Sequence, residues 1–123
     1  MTNVLIVEDN PIMQTIAEKM FEKLGHTSDV AATGAESLAM SNAQHYPVIL
    51  LDCQIPIIDG YEVATELRKR EGSGKKPKRS HIIACTANCM NGDEEKCLNA
   101  GMDDYIQKPL TQEALRSALE KII

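Results

Sequence analysis

The chain has 123 residues, of which 43% are hydrophobic and 25% charged, and its net charge is −5 at pH 7. This length suits one domain with an ordinary core, so we expect a single domain over residues 1–123. The negative charge argues against direct binding to nucleic acid. Neither an apolar run approaching the roughly 20 residues of a membrane span nor a signal peptide is recognisable, so we expect a cytoplasmic domain without membrane contact of its own.

Five short β-prone runs predict the strands. They lie at Asn3–Val7, Thr27–Ala31, Val48–Leu51, His81–Thr86 and Asp104–Ile106. The first, third and fourth are almost continuously apolar, which is typical of parallel strands that are covered on both faces.

Helical patterns fill the intervals between these runs. Asn10 and Pro11 predict an N-cap and first helical position, and Gly25 predicts the end of that first helix. A second helix is predicted at about 34–43, and a last one runs from about Thr111 to Lys121. Two sequences resemble capping boxes that begin a third and a fourth helix, Asp59-Gly60-Tyr61-Glu62 and Asn91-Gly92-Asp93-Glu94.

The alternation of strands and helices predicts a doubly wound α/β sheet with helices on both faces. In such sheets ligands bind beyond the carboxyl ends of the strands. The functional residues are therefore expected at these strand ends.

The basic residues are concentrated in one segment, Arg68–Arg79, which holds seven of the 13 Lys and Arg residues. Its Gly, Ser, Lys and Pro content favours a solvated, mobile linker over a docking surface. The rest of the chain is therefore strongly acidic.

The cysteines do not have the spacing of a metal site. Cys53, Cys85, Cys89 and Cys97 are expected to be reduced thiols, and Cys85, inside the apolar run of the fourth strand, is expected to be buried.

Acidic and polar residues follow the predicted strands. Glu8 and Asp9 follow the first strand, Asp52 the third, Thr86 ends the fourth, and Lys108 comes just after the fifth. If the first and third strands are neighbours, three carboxylates converge and repel one another, which raises the pKa of at least one of them. A hard divalent cation such as Mg²⁺, or Mn²⁺ in its place, relieves this repulsion.

Such a site suits phosphoryl transfer. An aspartate can accept a phosphoryl group as an aspartyl phosphate, and Asp52, at the end of the most apolar strand, is the predicted acceptor. Lys108 would supply a positive charge to a phosphoryl oxygen. The Thr86 hydroxyl and the Ala87 backbone N–H would donate hydrogen bonds.

The chain resembles a response-regulator receiver domain along its whole length. The resemblance is carried by V-E-D-N-P, L-L-D-C-Q-I-P-I-I-D-G, C-T-A-N and A-G-M-D-D-Y-I-Q-K-P-L, in this order. It implies the flavodoxin-like (βα)5 three-layer sandwich with strand order 2-1-3-4-5. It assigns Glu8 and Asp9 as the acid pair, Asp52 as the phosphoacceptor and Lys108 as the lysine of the site.

The resemblance also implies a switch and a further metal ligand. Thr86 and Tyr105 are the switch residues, and phosphorylation changes the surface formed by the fourth helix, the fifth strand and the fifth helix. The Gln54 backbone carbonyl ligates Mg²⁺. The likeness further favours a cis peptide between Lys108 and Pro109.

The resemblance leaves the molecular context open between two arrangements. The pattern looks most like receivers of hybrid sensor histidine kinases, which places the domain on the cytosolic part of such a kinase; a free-standing response regulator is the alternative. The expected partner is a histidine kinase or a histidine-phosphotransfer protein, and the domain is expected to catalyse only its own phosphorylation and dephosphorylation.

Two other functions on this fold are disfavoured by single features. A phosphatase working through an aspartyl phosphate is a distant alternative, since Gln54 stands where it would need a second catalytic aspartate. A flavin or dinucleotide binder is excluded because Glu8 and Asp9 would repel bare phosphate after the first strand.

Overall fold

The structure is a computed structural model that describes residues 3–52, 60–72, 81–86, 101–107 and 111–120; for residues 60, 61, 70–72, 86 and 107 only the backbone is described. The strands are β1 (Asn3–Val7), β2 (Thr27–Ala31), β3 (Val48–Asp52), β4 (His81–Thr86) and β5 (Asp104–Gln107). The helices are α1 (Pro11–Lys23), α2 (Gly34–Ala43), α3 (Gly60–Gly72) and a C-terminal helix (Gln112–Glu120).

The five strands form one parallel sheet in the order β2-β1-β3-β4-β5. This confirms the predicted strand order, and the predicted strand bounds hold to within one residue. The order places β1 and β3 side by side in the middle of the sheet. Their carboxyl ends therefore lie next to each other.

Side chains of the sheet alternate between two cores. On one face Leu5, Val7, Ile49 and Leu51 pack with residues of α2 and α3. On the other face the intervening residues of β1 and β3 pack with α1 and the C-terminal helix. These are the two outer layers of the predicted three-layer sandwich. Both faces of the central strands are covered, which agrees with the apolar run of each strand before the acid at its carboxyl end.

The first helix begins as the sequence predicts. The Asn10 side-chain oxygen accepts from the backbone N–H groups of Ile12, at 2.9 Å, and Met13, at 3.3 Å. Pro11 occupies the first turn, where a missing N–H costs nothing. After α1, Gly25 adopts a φ of +86°, a conformation that glycine reaches without a Cβ penalty.

The amino-terminal part of the basic segment is helical, which corrects the prediction of a mobile linker beginning at Arg68. α3 continues to Gly72, and the Arg68 side chain donates to the Gly101 carbonyl at 2.7 Å and to an Asp103 carboxylate oxygen at 2.6 Å. The same Asp103 oxygen accepts from the Ile82 backbone N–H at 2.9 Å. Arg68 thus joins α3 to the start of β4 and the approach to β5, while residues 73–79 lie outside the described part.

Several expectations fall on residues that the structure does not describe. These are the fourth helix beginning near Asn91, the thiols Cys53, Cys89 and Cys97, and the peptide bond between Lys108 and Pro109. Cys85 is a buried free cysteine, as predicted. Within the described ranges, every helix is too short or too polar to cross a membrane.

Candidate functional site

The register of the sheet explains why two acids meet. Val7 of β1 pairs with Leu51 of β3, and Ile6 pairs with Leu50, so continuing the register places Glu8 beside Asp52. Both side chains follow the alternation onto the face that carries α1. Glu8 and Asp52 are buried, with exposed fractions of 8% and 4%.

A third carboxylate completes the cluster. Glu8, Asp9 and Asp52 each offer one carboxylate oxygen, and these three oxygens all lie within 4.8 Å of one another. Asp9 is exposed, so the cluster opens to solvent on its side. The convergence of acids predicted from the sequence is therefore present in the fold.

Burial and crowding perturb the ionisation of Glu8. Desolvation is the largest cause, and together with the neighbouring Asp52 carboxylate it raises the pKa of the Glu8 carboxyl from 4.5 to about 7. The Asn10 backbone N–H, which donates to Glu8 Oε2 at 3.2 Å, lowers this pKa but does not offset the other causes. The expectation that crowding raises the pKa of at least one of these acids is thus met at Glu8.

The backbone of Glu8, where the loop begins, is held at both its N–H and its carbonyl. The Glu8 backbone N–H donates to the Ala31 carbonyl at 3.0 Å, which extends the pairing with β2 by one residue. The Glu8 carbonyl accepts from the Gln14 side-chain amide at 2.7 Å. The two ends of the Glu8 backbone are therefore fixed from opposite sides.

Apolar side chains line a crevice beneath the acids. Met13 and Ala17 come from α1, and Cys85 of β4 pairs in register with Asp52. These neighbours restrict water around Glu8 and Asp52 from below, which is the physical origin of the desolvation.

The other predicted site residues are described only in part. The backbone of Thr86 ends β4, one residue beyond the neighbour of Asp52, and pairs with Gln107. Tyr105 is half-buried on β5 and packs against the core on the α2 and α3 face. Gln54, Ala87 and Lys108 lie outside the described residues, so the structure does not test their roles.

The contact made by Gln14 was missed from the sequence. Its signal was weak, because glutamine is common in helices and nothing in the pattern says that its amide turns back to the strand end. The one available hint was position: Gln14 lies one turn after the N-cap Asn10, on the side of the helix that faces the preceding loop.

The donor set fits a hard divalent cation. All three side chains present carboxylate oxygens, the ligands that Mg²⁺ takes, and a cation would replace the hydration that Glu8 and Asp52 lose on burial. Because no soft sulfur or imidazole ligand belongs to this cluster, the described residues favour a hard, oxygen-bound cation over zinc or copper.

Comparisons with known proteins agree with this geometry. Hybrid signal transduction histidine kinase K of Dictyostelium discoideum is 41% identical over 123 residues, which covers 98% of this chain and 10% of that protein. The receiver domain of the sensor histidine kinase PA1611 from Pseudomonas aeruginosa PAO1, with a magnesium ion coordinated in its active site cleft, matches with a TM-score of 0.85 and 40% identity over 98% of this chain and 95% of that one.

A third match is a complex. The co-crystal structure of a histidine phosphotransfer signaling protein from Saccharomyces cerevisiae and the receiver domain of its downstream response regulator matches with a TM-score of 0.83 and 31% identity, over 98% of this chain and 86% of the matched chain. The chain spans only 7–15% of the length of the curated relatives at 40–41% identity.

The family profile of the response regulator receiver domain matches residues 4–120, which is nearly the whole chain and includes every strand except the first residue of β1. The chain belongs to the response regulator receiver domain family.

Proposed function

We propose that Asp52 accepts a phosphoryl group from a phosphohistidine of a partner protein, in a reaction that requires Mg²⁺. The observation that carries this proposal is the meeting of Glu8, Asp9 and Asp52 within 4.8 Å at the carboxyl edge of the sheet. Of the three, Asp52 is the least exposed and ends the central strand. Burial at the end of a paired strand restricts its movement, which suits an atom that must align with the donor.

The reaction needs the acceptor to be ionised and the phosphoryl charge to be tolerated. An Asp52 carboxylate oxygen forms the new P–O bond while the P–N bond to the donor histidine breaks, and the histidine nitrogen keeps the electron pair and takes up a proton. Bound Mg²⁺ would supply the positive charge that three carboxylates and a phosphoryl group otherwise lack. Glu8 and Asp9 would hold the cation beside Asp52.

The remaining roles follow the family resemblance. Lys108 would contact a phosphoryl oxygen, the Ala87 backbone N–H and the Thr86 hydroxyl would donate to others, and the Gln54 carbonyl would be a further metal ligand. Once phosphorylated, Asp52 attracts Thr86, and Tyr105 moves with it to change the surface formed by the predicted fourth helix, β5 and the C-terminal helix. Each charge-assisted bond contributes roughly 1.5–3 kcal/mol, enough to shift a two-state equilibrium.

The donor approaches over the first helix. Two large apolar side chains are exposed in the first half of α1, the helix that follows the acid-bearing loop in the chain, Ile12 at 71% and Ile16 at 37%. They lie one turn apart and form an apolar strip on this helix. We expect a phosphotransfer protein that covers this strip to place its histidine near Asp52. The yeast co-crystal structure is an example of a receiver domain in complex with such a protein.

The domain is proposed to belong to a hybrid histidine kinase. The relatives with 40–41% identity are sensor or hybrid kinases of which this domain forms a small part, and this favours the hybrid context over a free-standing regulator. We place residues 1–123 in a single domain on the cytosolic part of such a kinase, a location that suits the free thiol of Cys85. It catalyses only its own phosphorylation and dephosphorylation.

Labelling with a small-molecule donor tests the acceptor. Acetyl phosphate with Mg²⁺ should phosphorylate the wild type, and chelation of the metal should abolish the reaction. Asp52→Asn should remain unlabelled, whereas the control Asp104→Asn, which alters a β5 carboxylate that bonds its neighbour's N–H, should be labelled as the wild type is. Full labelling of Asp52→Asn would show that Asp52 is not the acceptor.

A further inference from the structure

Gln14 reaches from α1 to the loop that carries two of the acids. Its side-chain amide donates to the Glu8 carbonyl at 2.7 Å, while its backbone N–H donates to the Asn10 carbonyl at 2.9 Å. Gln14 therefore donates to the backbone carbonyls of both the first and the last residue of the loop, Glu8 and Asn10. It is half-buried, so the hydrogen bond is partly shielded from competing water.

The bond determines how the Glu8–Asp9 peptide is oriented. The carbonyl of Glu8 is part of the peptide plane that leads into Asp9, so fixing its oxygen fixes the direction in which the Asp9 backbone leaves β1. The Glu8 N–H is already held by Ala31 and its carboxylate by the Asn10 N–H. The Gln14 side-chain amide holds the carbonyl side.

This restraint matters because the cluster repels itself. Three carboxylates with oxygens within 4.8 Å favour any rotation that separates them, and exposed Asp9 has the most room to turn away. We infer that Gln14 is a positioning residue that holds Glu8 and Asp9 towards Asp52 before the cation binds, and that it thereby raises the affinity for Mg²⁺. This inference rests on the proposed Mg²⁺-dependent function of the same site.

The test compares two variants of neighbouring residues. Gln14→Met keeps the length and helix propensity of the side chain but has no N–H to donate. Thr15→Ala is the matched control, since the Thr15 hydroxyl donates to the Pro11 carbonyl at 3.1 Å, within the helix and not to the loop. Mg²⁺ is titrated into each ¹⁵N-labelled protein and followed by amide NMR.

We expect Gln14→Met to raise the dissociation constant for Mg²⁺ about 3–10-fold, the effect of one lost side-chain hydrogen bond, and Thr15→Ala to leave it unchanged. In cation-free protein, the Glu8 and Asp9 amide signals of Gln14→Met should broaden. At saturating Mg²⁺ its phosphorylation by acetyl phosphate should return to the wild-type rate, because the loss lies in metal affinity.

The outcomes separate the two proposals. Equal dissociation constants for wild type and Gln14→Met would overturn the positioning role and leave the proposed function intact. An equal loss in Thr15→Ala would also overturn it, since the effect would then belong to helix stability. A wild type that does not bind Mg²⁺ would instead refute the proposed function, and the positioning role with it.

Discussion

Burial of the Glu8 carboxyl in the acid cluster lowers the free energy of unfolding at neutral pH. Its carboxyl is buried beside Asp52, and desolvation raises its pKa to about 7. A carboxyl whose pKa is higher in the folded protein than in the unfolded chain is stabilising when protonated. That contribution is complete below about pH 4.5 and is lost as the pH rises through about 7.

The consequence is a stability that depends on pH and cation together. In EDTA the wild type should lose of the order of 1–3 kcal/mol more unfolding free energy than Glu8→Gln between pH 5 and pH 8. Adding Mg²⁺ at pH 8 should recover this loss in the wild type, because the cation favours the ionised carboxyl. Urea titrations at both pH values provide the measurement, and parallel curves for the two proteins would show that Glu8 carries no such strain.

Between the elements, Arg68 adds polar contacts to the apolar packing that joins α3 to β4 and β5. It binds the Gly101 carbonyl and the Asp103 carboxylate, and Asp103 exchanges backbone and side-chain bonds with Ile82. Gly101 has a φ of +97°, and a Cβ there would come within 2.5 Å of Arg68 Cγ. Position 101 therefore favours glycine for two reasons: its φ is positive, and a Cβ would collide with the Arg68 side chain.

Two glycine substitutions separate these requirements. Gly25 has a similar positive φ of +86° but open space around it, so Gly25→Ala should cost only the backbone strain of roughly 1–2 kcal/mol. Gly101→Ala should cost at least about 1 kcal/mol more, because Arg68 must move and its bonds are disturbed. Chemical denaturation of both variants decides the question: a Gly101→Ala loss no larger than that of Gly25→Ala would contradict the proposed crowding.

The apolar strip on α1, formed by Ile12 and Ile16, is the proposed docking surface for the phosphotransfer protein. Ile12→Ser and Ile16→Ser should each slow phosphoryl transfer from a phosphohistidine protein about fivefold or more, since truncating a docking contact commonly costs over 1 kcal/mol. Phosphorylation by acetyl phosphate should be unchanged, because neither side chain belongs to the acid cluster. The control is Glu18→Ser, an exposed position at least about 120° away around the same helix. Equal slowing with both donors would place the defect at the site and not in docking.

Across the whole molecule, the features predicted correctly from the sequence are those set by strong local patterns. The apolar runs of β1 and β3 specify buried parallel strands, and the strand-end rule then brings Glu8 and Asp52 together. The contacts of Gln14 and Arg68 could not be predicted in this way. Both join a side chain to a backbone carbonyl, and for Arg68 the partner lies 33 positions along the chain, so neither depends on hydrophobic periodicity.

The whole fold brings Asp52, the proposed acceptor, to the carboxyl end of the central strand, with Glu8 and Asp9 beside it. Transfer from a phosphohistidine phosphotransfer protein in Mg²⁺, followed by borohydride reduction and peptide mass spectrometry, identifies the acceptor by converting an aspartyl phosphate to homoserine. The modification should be found at position 52 in the wild type and nowhere in Asp52→Asn. Homoserine at any other aspartate of the wild-type protein, with position 52 unmodified, would contradict the assignment.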